Sequence, residues 1–290
     1  TKTFNPATGD LVGHFQASDS AEVARAVEAA KCAQSGWWEL GAQRRTELLN
    51  QVADNLRNSS HLLAEIESRE MGKPIAMAQT DIHGSAEVIE NQISGAIEFF
   101  AESSSSTGRL VRRPYGVAAL ITPWNYPVCQ VTDVVGALLV AGNTVVVKPS
   151  EKAPLSVAAL SEVFDCLPPG VFNIVLGNGA TGSALIENPD VDLVHFTGSV
   201  ATGRKVGAVA GARLIPCFLE LGGKDPLVID EDVDIKWAAE IAVTGSLFNT
   251  GQVCTSVERI YVHKNIAEPF ISELVAQASS WTIGPGSDPS

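Results

Sequence analysis

Five short runs rich in valine, isoleucine and leucine, near residues 117–121, 143–147, 172–176, 193–196 and 214–219, alternate with helix-length segments. Strands of that composition are buried on both faces, and a crossover helix between successive strands makes their pairing parallel, so the alternation predicts a doubly wound α/β sheet. The pattern restarts after Gly223, with a strand at 226–230, a helix from about Val233 to Phe248, a strand at 259–263 and a helix from about Ile266. That restart reads as the opening of a second α/β unit.

The first hundred residues read mainly as helices. Asp19 and Glu22 form a capping-box pattern, followed by an apolar stripe of Val23, Ala26, Val27 and Ala30 that Gly36 is expected to stop. Leu48, Leu49, Val52 and Leu56 make a second stripe and Ile89, Ile93, Ile97 and Phe100 a third, before the serines at 103–106 break the pattern. Two β-prone runs then flank Pro114, Gly108 to Arg113 and Tyr115 to Ile121. The first carries Arg109, Arg112 and Arg113 with little to bury, which suits a protruding arm better than a core strand.

Composition removes several function classes. The longest apolar stretches, such as Val134 to Gly142, are cut by Asp133, Asn143 and Thr144 well short of a membrane span. A formal net charge of -13 would repel a phosphate backbone, so neither nucleic acid nor membrane is an expected partner. Cys32, Cys129, Cys166, Cys217 and Cys254 are odd in number and lack any C-x-x-C spacing, which suggests neither a disulfide framework nor a metal site and fits a reducing, cytoplasmic compartment. The first four lie in apolar or helical contexts and are expected to be inert core thiols. No charged stretch followed by an apolar one opens the chain, so secretion has no support.

Several loops carry chemistry-bearing residues. Gly177, Gly179 and Gly182 spell a literal G-x-G-x-x-G between a strand and a helix, but after the third expected strand, without an acidic residue about twenty positions on; a turn with a helix start is preferred, with a cofactor-edge contact as the alternative. Phe196, Thr197, Gly198 and Ser199 leave a strand and open a helix, where free N–H groups can cradle a diphosphate or merely make a tight turn. Lys148, Ser150 and Glu151 arrive together at the carboxyl end of a strand, placed to bind a ribose diol or to form a solvated ion pair. Trp124 and Asn125 sit between Pro123 and Pro127, so Asn125 is held rigidly, either as an oxyanion donor or as a helix cap. Glu220 lies between Leu219 and Leu221 and before Gly222, which suits a base of raised pKa or a structural carboxylate. Cys254 follows a polar, glycine-bearing loop where neighbours could activate a thiol.

The order of these segments, Pro-Trp-Asn at 123–125, Lys-Pro-Ser-Glu at 148–151, Phe-Thr-Gly-Ser at 196–199, Glu-Leu-Gly-Gly at 220–223 and Gly-Gln-Val-Cys at 251–254, resembles the aldehyde dehydrogenase superfamily over nearly the whole chain. The resemblance implies a Rossmann-like cofactor domain over 1–104 and 119–222, an oligomerisation arm over 105–118, and the start of a catalytic domain over 223–290. It implies Cys254 as nucleophile, Glu220 as general base and Asn125 as oxyanion donor. It further implies contacts to NAD, in preference to NADP, from Trp124, Lys148, Ser150, Glu151, Gly182, Phe196, Thr197, Gly198, Ser199, Leu221 and Gly222. A small-molecule aldehyde substrate, its identity open, and a homodimer or homotetramer follow from the same resemblance. Family members run a couple of hundred residues further, so the chain is expected to be truncated, and two alternatives stay open: an inactive NAD-binding fragment, or a relative passing its acyl group to coenzyme A.

Overall fold

The computed structural model describes residues 1–288. β1 (Lys2–Phe4) and β2 (Leu11–His14) pair as an antiparallel hairpin. α1 (Ser20–Glu39) starts on the expected capping box, with the Glu22 N–H donating to the Asp19 carboxylate and the Asp19 N–H to that of Glu22. It does not stop at Gly36. Continuing the helix carries Trp37 into the core, where its indole N–H donates to the Leu139 oxygen at 2.8 Å; burying that ring outweighs the roughly 1 kcal/mol that a glycine costs inside a helix.

α2 (Gly41–Asn58) buries Leu48, Leu49, Val52 and Leu56 as its stripe requires. α3 (Ser60–Met71) ends at Gly72 and is followed by α4 (Ile75–Ile93) and α5 (Ala96–Phe100). The third stripe is shorter than its spacing suggests: Ile89 and Ile93 are buried, but Gly95 takes a φ of 72° and turns the chain, leaving Ile97 exposed. β3 (Ser103–Ser105) and β4 (Gly108–Leu110) then form an antiparallel hairpin exposed at every position. The serine run thus belongs to the hairpin, and the stretch 105–118 overshoots it at the far end, because Val117 and Ala118 are buried sheet residues.

The main sheet contains β5 (Val117–Ile121), β6 (Thr144–Lys148), β7 (Phe172–Ile174), β8 (Leu193–Gly198) and β9 (Cys217–Leu221), in the order β7-β6-β5-β8-β9 with every pairing parallel. The crossovers are α6 (Cys129–Val140), the short α7 (Leu155–Ala158) and α8 (Leu160–Val163), then α9 (Gly179–Glu187) and α10 (Val200–Arg213). β5 and β6 are buried at all positions, with one apolar cluster on each face of the sheet. The first strand is central: the chain winds outward through β6 and β7, then returns to add β8 and β9 on the other side. That reversal opens a crevice beyond the carboxyl ends of β5 and β8, where doubly wound folds bind ligands.

Arg45 braces this layer from α2. Its buried guanidinium donates to the oxygens of Val140 (3.0 Å) and Trp38 (2.7 Å), satisfying carbonyls at the ends of α6 and α1. Of the thiols expected in the core, Cys32 is instead exposed on α1, where its Sγ meets Glu28 at 3.4 Å, while Cys129, Cys166 and Cys217 are half-buried.

The second unit is a parallel pair, β10 (Asp225–Ile229) and β11 (Val257–Val262), joined by α11 (Ile235–Leu247) and followed by α12 (Ala267–Ser279). Ile229, Ala238, Ala239, Ala242 and Phe270 make its small core. The last two residues of the expected 223–290 unit lie outside the described residues. Among those described, no helix is long and apolar enough to cross a membrane.

Candidate active site

The segment after β5 turns sharply into α6 through Pro123, Trp124, Asn125, Tyr126 and Pro127. Its prolines fix φ and cannot extend the strand ladder, so the turn is set by local sequence. Asn125 is held from above: its side-chain amide donates to the Gln252 oxygen at 2.8 Å, in the loop that carries Cys254. Asn249 returns the connection, its amide donating to the oxygens of Asn125 (3.0 Å) and Gln252 (3.2 Å). An Asn amide has two N–H bonds, so Asn125 keeps one for a ligand after binding Gln252. Cys254 itself is exposed, beyond a tight turn in which Asn249, Thr250 and Gly251 have φ of 50°, 57° and 76°.

A buried charge cluster lies beneath the turn. Lys73 Nζ is 2.6 Å from Glu67 and 2.7 Å from Asp81, and stands 3.8 Å from the centre of the Tyr126 ring. Burial works against the Lys73 ammonium, but the carboxylates beside it more than offset that and raise its pKa. Tyr126 is pushed up to about 12, mainly by burial, with the Cys254 thiol among the groups acting on it. Neither Lys73 nor Asn249 stood out in the sequence. A Gly-Lys-Pro at a helix junction and an Asn before a glycine turn are common, and only the fold brings them under the Asn125 turn.

At the carboxyl end of β6, Lys148 is buried, its ammonium donating to the Pro149 oxygen at 2.6 Å and lying 3.9 Å from Glu151. Burial pushes the Lys148 pKa down, against the pull of Glu151. Glu151 is exposed and Ser150 half-buried, its hydroxyl accepting from the Lys152 N–H. The loop is braced from α3 by Glu70, which accepts from the N–H groups of Leu155 (2.7 Å) and Ser156 (2.9 Å). Lys152 reaches across to the Trp124 ring, 5.4 Å from its centre. Gly182 lies in the first half of α9, where a Cβ would meet Lys148 Cδ at 3.5 Å; Gly177 has a φ of 153° and Asn178 caps the helix. Gly177 thus serves a turn and Gly179 a helix start, while Gly182 lies in ordinary contact distance of the Lys148 side chain.

Phe196 is buried, whereas Thr197 and Gly198 carry β8 to the crevice. Ser199 caps α10, its hydroxyl accepting from the Thr202 N–H at 3.2 Å, and the remaining first-turn N–H groups face out of the helix. Thr122, just past β5, and Thr197 each enclose a hydroxyl oxygen without a hydrogen-bond partner among the described residues. A helix N-terminus at α10, and a lysine and glutamate at the next strand end, suit a dinucleotide with its diphosphate and ribose diols.

Glu220 departs from expectation. It stands exposed on β9, opposite Thr197 in register, while Leu219 and Leu221 point to the other face and pack on Gly207 and Gly203 of α10. The apolar enclosure expected from its neighbours is therefore absent, and no hydrogen bond or ion pair among the described residues joins it to Cys254 or Asn125. Its electrostatic neighbour is His195, whose pKa burial lowers and Glu220 partly restores. Gly222 continues beyond β9 and is exposed.

Fold and site together define a doubly wound α/β protein whose switch-point crevice is bordered by a cysteine-bearing loop. The family model of the aldehyde dehydrogenase family matches residues 1–290, and the chain belongs to that family. Its fold is similar to that of an NAD-dependent aldehyde dehydrogenase from Sinorhizobium meliloti (33% identity, TM-score 0.93), over 99% of this chain and 59% of that one. It is similar also to PnpE in complex with nicotinamide adenine dinucleotide (36%, 0.95, over 100% and 61%). An E. coli NADP dependent enzyme gives 33% and 0.94 over 99% and 61%. The chain thus spans about three fifths of the length of these structures.

Proposed function

We propose that this chain supplies the cofactor crevice and the nucleophile of an NAD-dependent enzyme that oxidises an aldehyde to a carboxylic acid. The observation that carries this reading is the hydrogen bond from Asn125 to Gln252, which joins the turn at the switch point to the cysteine loop. In this reading the Cys254 thiolate attacks the aldehyde carbon, and the free Asn125 N–H and the Cys254 backbone N–H hold the oxyanion of the thiohemiacetal. NAD held in the crevice would supply the hydride acceptor that conversion of this adduct to a thioester requires. Glu220 then takes a proton from the water that hydrolyses the thioester, freeing the acid and the thiol. Glu220 stands exposed on β9, where water can reach its carboxylate.

The N–H groups at the start of α10, beside Ser199, would hold the diphosphate, with Lys148, Ser150 and Glu151 at the adenosine ribose and Trp124 near the nicotinamide. NAD is preferred over NADP, because Glu151 would repel a 2′-phosphate. A water-activating carboxylate at position 220 favours hydrolysis over acyl transfer to coenzyme A. The exposed β3–β4 hairpin has an unpaired edge, the kind of surface through which a homodimer or homotetramer is built. NADH formation from a panel of aldehydes, with NAD and NADP compared, tests the reading; no NADH from any aldehyde in an enzyme that binds NAD would remove it.

A further inference from the structure

We propose that Asn249 is a positioning residue of the oxyanion site, a role that rests on the nucleophilic reading of Cys254. Its side chain is fully buried and spans two segments, donating to the main-chain oxygens of Asn125 and Gln252. The Asn125 side chain donates to that same Gln252 oxygen. The turn after β5 and the cysteine loop are thereby locked in one register by a single amide. The two groups assigned to the oxyanion, the Asn125 side-chain N–H and the Cys254 backbone N–H, lie one on each side of this lock.

Two features argue that the lock is not there for stability. The Asn249 Oδ1 is enclosed without a hydrogen-bond partner among the described residues, an arrangement that is costly in a buried amide. The β-branched Thr250 beside it holds a left-handed backbone, φ 57°, which is unfavourable for a branched side chain. Both costs sit five and four positions before Cys254 and allow Gln252 to face Asn125. Asparagine suits the place because it tolerates positive φ and carries two donors on one atom.

The test is made in the active enzyme, with three substitutions. Asn249→Gly accepts the left-handed backbone but removes the donors; Asn249→Asp keeps the shape but sets a carboxylate against two carbonyls; Asn249→Ser keeps one donor. Stopped-flow NADH bursts, NAD affinity and melting temperature are measured for each. For Gly and Asp the burst rate is expected to fall about a hundredfold, as a displacement of reacting groups by about 1 Å does. NAD affinity should be unchanged, and Ser should recover part of the loss. With Asn125→Ala added, the double variant should be no slower than the slower single one, because both residues act on one oxyanion. A folded Gly or Asp variant with the parental burst rate, a Ser variant no faster than Gly, or multiplicative losses in the double variant would overturn the proposal. A Cys254→Ser enzyme that stays active would instead overturn the nucleophile assignment; an inactive one beside a fully active Asn249→Gly enzyme removes only the positioning role.

Discussion

Asn125 donates from its side-chain amide to the main-chain oxygen of Gln252 at 2.8 Å, although 127 positions separate them. One end of that bond is fixed by the core sheet through β5, the other by the second unit through α11. Separating the turn after β5 from the cysteine loop would break it. The site's geometry therefore reports the docking of the two units, and substitutions at its edges should affect chemistry before they affect folding.

Cys254→Ser exchanges a thiol for a hydroxyl, a far weaker nucleophile at neutral pH, so no thiohemiacetal should accumulate. NADH formation is expected to fall by orders of magnitude while NAD binding persists. Steady-state kinetics and cofactor titration check both halves, and retained turnover would contradict the role given to this cysteine.

Glu220→Gln keeps the shape of the side chain and removes the base. The first half-reaction should proceed and thioester hydrolysis should stall, giving a stoichiometric burst of NADH followed by a slow steady state. Parental turnover in this variant would assign water activation elsewhere.

Glu151→Gln removes the charge that would face a 2′-phosphate while leaving an amide able to bind a ribose hydroxyl. NADP affinity should rise relative to NAD, by about tenfold if repulsion accounts for roughly 1.4 kcal/mol. Equal titrations before and after the change would show that Glu151 does not read the cofactor.

Glu70 links stability to pH. Burial pushes its pKa up from 4.5 to about 7, against the N–H groups of Ser156 and Leu155 and the Ser156 hydroxyl, which favour the carboxylate. A raised acid holds its proton longer in the folded state, so between pH 4.5 and about 7 the unfolded chain binds fewer protons and stability falls as pH rises. The full loss is on the order of 3 kcal/mol and is complete above the folded pKa. Urea midpoints measured from pH 4.5 to 8 should decline across that window, and Glu70→Gln should flatten the decline; an unchanged slope would refute the linkage.

Arg45→Met should destabilise the fold by about 2–4 kcal/mol, because it strands the Val140 and Trp38 oxygens in a buried layer. Denaturant unfolding at neutral pH measures this, and a change below about 1 kcal/mol, the worth of a single ordinary hydrogen bond, would show that those carbonyls find other partners.

The sequence alone determined the parallel strands, their crossover helices and the loops that end at the crevice, because buried strands and capped helices write themselves in periodicity that needs no long-range information. The Asp19–Glu22 capping box and the stripe of Leu48, Leu49, Val52 and Leu56 are of this kind. Where local signals competed with packing, the sequence misled. Gly36 looked like a stop until Trp37 found Leu139, and Ile97 looked like core until Gly95 turned the chain. The Leu219 and Leu221 that seemed to enclose Glu220 face the opposite side of the sheet, as strand alternation demands once β9 runs on to Leu221 instead of ending at 219. The lock of Asn249 on Asn125 and Gln252, and the Lys73 cluster under Tyr126, were decided only by the tertiary structure, since each joins segments whose closeness depends on how the helices and the second unit dock against β5.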